Sequence, residues 1–220
     1  MPPRRGCCLG TLKRAGGQEA QVSDFRVIGD VDQTLAGLLS DAIDADAAVQ
    51  ALLAGAVDRI VFDSPGVLIQ AGTTPCVSLF LYRLSENPDL KNRPPVRVSP
   101  HLLRQPPLAL NLHYLLTPLL KNVQQSHWLL ARLMQELADR SIVRGSSLSG
   151  GLRDNAEELR ISLESVSLEE LTKLWTTFGA PYRLGVTYEV RVALLDSGRM
   201  EGGERVRLKR LELAQGVPTP

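Results

Sequence analysis

From Tyr182 to Leu194 every even position is apolar (Tyr182, Leu184, Val186, Tyr188, Val190, Val192, Leu194), while the odd side carries Arg183, Gly185, Thr187, Glu189, Arg191 and Ala193. A period of two is the pattern of a half-buried strand. Thirteen residues at the rise of a strand reach roughly 43 Å, well beyond the usual five or six residues. Three shorter segments read the same way. Cys76 to Asn87 is apolar on both faces, through Val77, Leu79 and Leu81 on one and Phe80 and Tyr82 on the other, and predicts a strand covered on two sides. Leu108 to Leu119 alternates, with Leu108, Leu110, Leu112 and Tyr114 opposite Ala109, Asn111, His113 and Leu115. Ala156 to Val166 forms another strand through Leu159, Ile161 and Leu163. A short strand at 57–64 is ended by Pro65, and the stretch after it, "GVLIQAGTT", reads as a turn or hairpin.

Helical spacing takes over elsewhere. Val31, Leu35, Leu38, Leu39 and Ala42 share one face of a helix that Asp30 is placed to cap and that fades near Gly55. Leu129, Leu130, Leu133, Met134 and Leu137 stripe a helix over 123–138. In "SLEELTKLWTTF", Ser167 and Glu170 stand at capping-box spacing, and Leu168, Leu171, Trp175 and Phe178 are expected on the inner face. The proline pairs Pro94-Pro95 and Pro106-Pro107 predict an exposed extended loop from Pro88 to Pro107. The stretch "RGSSLSGGLRDN" reads as a flexible link. "ERVRLKRLEL", rich in Arg and Lys, reads as a final edge strand. Helices and strands mixed in this order predict an α+β domain with a mixed sheet and helices packed on it.

With 220 residues, 44% hydrophobic, the chain can bury a real core. Residues 1–22 lack periodicity and are expected to be a disordered extension; 23–213 form the domain and 214–220 a loose tail. A formal charge of +1 argues against nucleic acid or an anionic membrane as partner. Cys7, Cys8 and Cys76 give neither a disulfide framework nor a zinc spacing, which suits a reducing compartment. The N-terminus has a basic start without the apolar middle of a secretion signal. A soluble protein made in the cytoplasm follows.

Candidate chemistry is thin. His101, His113 and His127 make no ligand spacing and read as ordinary surface or core histidines. "GSSLSGG" lacks the closing Lys-Ser or Lys-Thr of a phosphate loop and the order of a nucleophile elbow. The carboxylates near 157–170 are explained by exposed runs and a helix first turn. Cys76 has no flanking cation and reads as a small apolar residue. No catalytic residue, metal or cofactor is expected, and a binding or structural role is favoured.

The segments "SDFRVIGDVDQTLAGLL", "VSLFLYRLSENPDLKN", "PPLALNLHYLLTPL", "LLARLMQEL" and "LRISLESVSLEELTKLW" running into "PYRLGVTYEVRVALLDS" together resemble the cap, or tail-terminator, family of phage-tail-like contractile injection systems of the Photorhabdus virulence cassette type. The likeness covers about 23–196, with two departures. Such proteins start close to Ser23, so Val22 is the expected native start, with 1–21 either outside the native protein or an unstructured extension; and His127-Trp128 falls where the family helix is more polar. The resemblance implies a non-enzymatic protein forming a six-fold ring on the end of the particle away from the baseplate. There it stops growth of the inner tube and anchors the last sheath layer. Its partners would be itself, the inner tube protein and the sheath protein, without nucleic acid or membrane insertion; it would be assembled in the cytoplasm and then carried in the particle. It also gives the long strand a use: backbone groups left unpaired beyond its neighbours would pair with another subunit or a sheath arm. The expected contact face is Arg183, Thr187, Glu189 and Arg191, with Arg205, Arg207 and Lys209 on the edge strand and the proline loop as a second surface. An adaptor joining the tube to another component, or a small hydrolase that would have to gather His113 with a carboxylate in a pocket, are the alternatives.

Overall fold

The computed structural model of the chain describes residues 25–91, 94–99, 102–153, 158–195 and 200–202. The expected loose ends 1–22 and 214–220, and the expected edge strand 204–213 with Arg205, Arg207 and Lys209, lie outside them. Helix α1 runs over Val27–Asp44 and buries the stripe of Val31, Leu35, Leu38, Leu39 and Ala42. Asp30 is not its cap. Because Val27 belongs to the buried stripe, the helix begins earlier, and Asp30 sits in its first turn, where its carboxylate accepts the Gly151 N–H at 2.9 Å. Nor does the helix fade toward Gly55. It ends at Asp44, and Asp46 caps a second helix, α2 (Ala47–Leu52), by accepting from the Ala48 and Val49 amides.

Strand β1 (Ile60–Val61) is followed by helix α3 (Pro65–Ala71), where the sequence suggested a turn. Ser64 accepts from the Val67 amide, Pro65 fills the first turn and Gly72 closes the helix at φ +67°, the arrangement of a capped helix about two turns long. The chain continues through β2 (Cys76–Glu86), β3 (Val96–Ser99), β4 (Leu102–Arg104), β5 (Leu108–Leu119), α4 (Val123–Asp139), β6 (Ile142–Arg144), β7 (Glu158–Glu164), α5 (Leu168–Phe178), β8 (Val186–Leu195) and β9 (Met200–Gly202). The expected loop from Pro88 to Pro107 therefore holds two strands, and β3, β4 and β9 make a small antiparallel sheet.

The main sheet has the order β1-β2-β5-β8-β7-β6, parallel between β1 and β2 and antiparallel throughout the rest. The long strand is thus neither as long as its pattern nor at a border. It begins at Val186, leaving 182–185 outside the ladder, and residues 187–190 pair with both β5 and β7. The alternation also breaks within it: Leu112 faces Val190 but Leu110 faces Ala193, so the register shifts by an extra residue. The expectation that its backbone waits for a foreign strand is overturned for these residues. Among the described residues the borders of this sheet are β1 and β6.

Helices α1, α2 and α4 cover one face, where Val31, Leu39, Leu133, Leu112, Tyr114 and Val190 belong to one apolar core. Within the supposed link at 144–155, Leu148 and Leu152 are wholly buried in that core. Gly150, at φ +57°, lies against the Asp30 carboxylate with no room for a Cβ. On the opposite face α3 and α5 pack together, close enough that a Cβ on Gly66 would strike Phe178. Trp175, Phe178 and Phe80 form an edge-to-face chain there, at centroid distances of 5.6 and 5.5 Å. The Ser167–Glu170 capping box holds the start of α5 as expected.

Candidate interaction site

Where α3 and α5 stop, the same sheet face turns polar. Period-two alternation puts Asn111 and His113 on the face of Leu115, and cross-strand registers add Ser85 from β2 and Glu189 from β8. His113 is 3% exposed; its Nδ1 lies 2.9 Å from Glu164 Oε2 and its Nε2 2.9 Å from Ser85 Oγ. With Glu164 ionised, Nδ1–H donates to it, and in the neutral ring Nε2 accepts from the Ser85 hydroxyl. Tyr82 also donates to Glu164, at 3.1 Å, and burial, reinforced by that carboxylate, pushes its phenol above the ordinary range. A second chain runs from Asn87 to Asn111 to Glu189, at 3.0 and 2.8 Å, and Arg191 closes it at 2.8 Å. The hydrogen bond and charge of Glu189 hold the Arg191 guanidinium above its usual value.

Sequence reasoning missed this network, although it had the face of His113 right. A serine, a histidine and a carboxylate in line is the order of an activated nucleophile. Such chemistry also needs donors for an oxyanion; of the two neighbouring side-chain amides, Asn87 donates one N–H to Asn111, and Asn111 donates one to Glu189. Each of these buried polar groups is satisfied by a neighbour whose orientation it holds. No group of three or more His, Cys, Asp or Glu side chains suited to a metal ion occurs among the described residues.

The expected contact residues do not form one face. Thr187 is 4% exposed and its hydroxyl donates to the Glu164 carbonyl at 2.8 Å, so it is withdrawn from any partner by its place in a central strand. Arg191 is half-exposed and paired with Glu189. Arg183 stands apart, before the strand begins, with one N–H on the Leu120 carbonyl at 3.1 Å. It lines a groove of about 430 Å³ with Lys121, Val123, His127, Tyr182 and Leu184. A second hollow, of about 400 Å³, lies beside the border strand β6.

Six strands in this order, with helices on both faces and a small second sheet, define an α+β protein with the fold of a tube terminator. The chain superposes on the sheath/tube terminator of an extracellular contractile injection system, PVC, in its extended state, with a TM-score of 0.56 at 18% identity over 86% of this chain and 64% of that one. The tube-terminating cap of the anti-feeding prophage aligns more loosely, with a TM-score of 0.46 at 20% identity over 79% of this chain and 61% of that one. The chain therefore spans less than two thirds of the length of either. The family model described as the Pvc16 N-terminal domain matches residues 30–208, and the chain belongs to that family. A comparison with curated proteins returned no match.

Proposed function

We propose that this chain is a structural cap of a contractile injection particle, sitting on the end of the inner tube away from the baseplate. It ends tube growth there and anchors the last sheath layer. The observation that carries this reading is the match of residues 30–208 to the Pvc16 N-terminal domain. The shared fold with a sheath/tube terminator supports it. Copies of the chain form a closed ring of six, in which each subunit offers one surface to the next. Arg183, Glu189 and Arg191 are its proposed polar contacts among the described residues, with Arg205, Arg207 and Lys209 beyond them.

The role asks for binding alone, so the protein acts without cofactor or catalysis. It is made and assembled in the cytoplasm and leaves as part of the particle, without inserting in a membrane. Among the described residues no helix is long and apolar enough to cross one. The test is electron microscopy of purified particles carrying an epitope-tagged copy of the chain. Antibody-bound gold at the end opposite the baseplate is the expected result; gold at the baseplate, or along the whole particle, contradicts it.

A further inference from the structure

The alternating pattern starts four residues before the strand does. Tyr182 and Leu184 obey it, yet they lie outside every ladder and keep 46% and 49% of their surface exposed. Val123, across the groove at the start of α4, is 65% exposed. Apolar side chains gathered in a groove with polar rims mark interaction sites, because covering them removes apolar surface from water.

Charge decides the kind of partner. Several cations elsewhere are neutralised within the chain: Arg59 by Asp44, Arg140 by Glu136 and Asp41, Arg144 by Glu158, and Arg191 by Glu189. The hollow beside β6 is walled by two of these paired arginines, Arg140 and Arg144. Lys121 and Arg183 differ: among the described residues neither has a carboxylate in ion-pair range, and no acidic residue lines their groove. A pair of unneutralised cations over an apolar floor, beside an extended segment outside the sheet, is complementary to an extended chain that alternates apolar and acidic side chains. A nucleic acid fits less well, since the floor is apolar and the net charge only +1.

We propose that this groove binds an extended acidic segment of a partner protein, its apolar side chains lying against Tyr182, Leu184 and Val123 and its carboxylates on Lys121 and Arg183. The inference does not rest on the cap reading. The experiment is fluorescence anisotropy on the full chain with two labelled peptides, one alternating glutamate and leucine, the other lysine and leucine. The glutamate peptide is expected to bind saturably, at least about ten-fold tighter than the lysine peptide, and to weaken with added salt. Lys121 makes no hydrogen bond or ion pair among the described residues, so Lys121→Glu leaves the fold intact; it should lower glutamate-peptide affinity, and Lys121→Glu with Arg183→Glu should reverse the preference. Leu184→Asp should weaken binding of the glutamate peptide as well. The proposal is overturned by equal affinity for both peptides, by no binding of the glutamate peptide, by an unchanged preference in the double variant, or by tighter binding of a thymidine oligonucleotide.

Discussion

Asp32 and Tyr114 show how burial and a hydrogen bond oppose each other at one carboxyl. Desolvation lifts the Asp32 carboxyl above its ordinary value, and the Tyr114 hydroxyl, donating at 2.6 Å, pulls it back by less. A folded-state value above the unfolded one means that folding favours the protonated form. The stability it contributes is present below the ordinary carboxyl value and lost as pH rises through the raised one. Asp32→Asn keeps an acceptor for Tyr114 and removes the charge, so its advantage in Tm over wild type is expected to grow between about pH 3 and about pH 7. An advantage that shrinks over that range would reverse the sign. The Ser85–His113–Glu164 chain makes a second prediction. Ser85→Ala is expected to cost about 1 kcal/mol in chemical denaturation and to leave capping intact, and the wild-type serine should not react with a fluorophosphonate. A labelled Ser85 would contradict the structural reading. Alternation along β5 revealed which way His113 faces, but its partners lie 28 and 51 residues away, and no local spacing encodes such a meeting.

Elements with strong periodicity were legible: β2, β5, β7, α4 and α5 all stand close to where the pattern puts them. Helix α3 was hidden by its length, though Ser64, Pro65 and Gly72 carry its cap signals. Strands β3, β4 and β9 are short, and β4 and β9 pair across about a hundred residues of chain, a tertiary choice that propensity does not express. The segment 145–153 looked like a linker because Gly and Ser dominate it. Its glycines instead allow a tight path past Asp30, and that path drives Leu148 and Leu152 into the core. Leu148→Ala is therefore expected to destabilise the chain by about 2–5 kcal/mol, read from urea denaturation; a loss near zero would restore the linker reading.

At the scale of the molecule, the thirteen-residue alternation served two ends. Its later part became the middle of the sheet, because β5 and β7 supply partners on both sides. Its first residues did not join the ladder and wall a groove. The pattern was visible in sequence; the boundary between the two uses was not, since β8 leaves β5 beyond Leu116 although β5 itself continues to Leu119 beside β2. The chain belongs to the Pvc16 N-terminal domain family and shares the fold of a tube terminator, and most of its described residues build the main sheet and the helices packed on it. The central claim is that this scaffold ends the tube. It is tested most directly by deleting the gene in the producing cell and measuring tube lengths by electron microscopy. Overlong or unstable tubes, restored to a single length by the wild-type chain, are predicted; particles of unchanged length and stability would contradict the account.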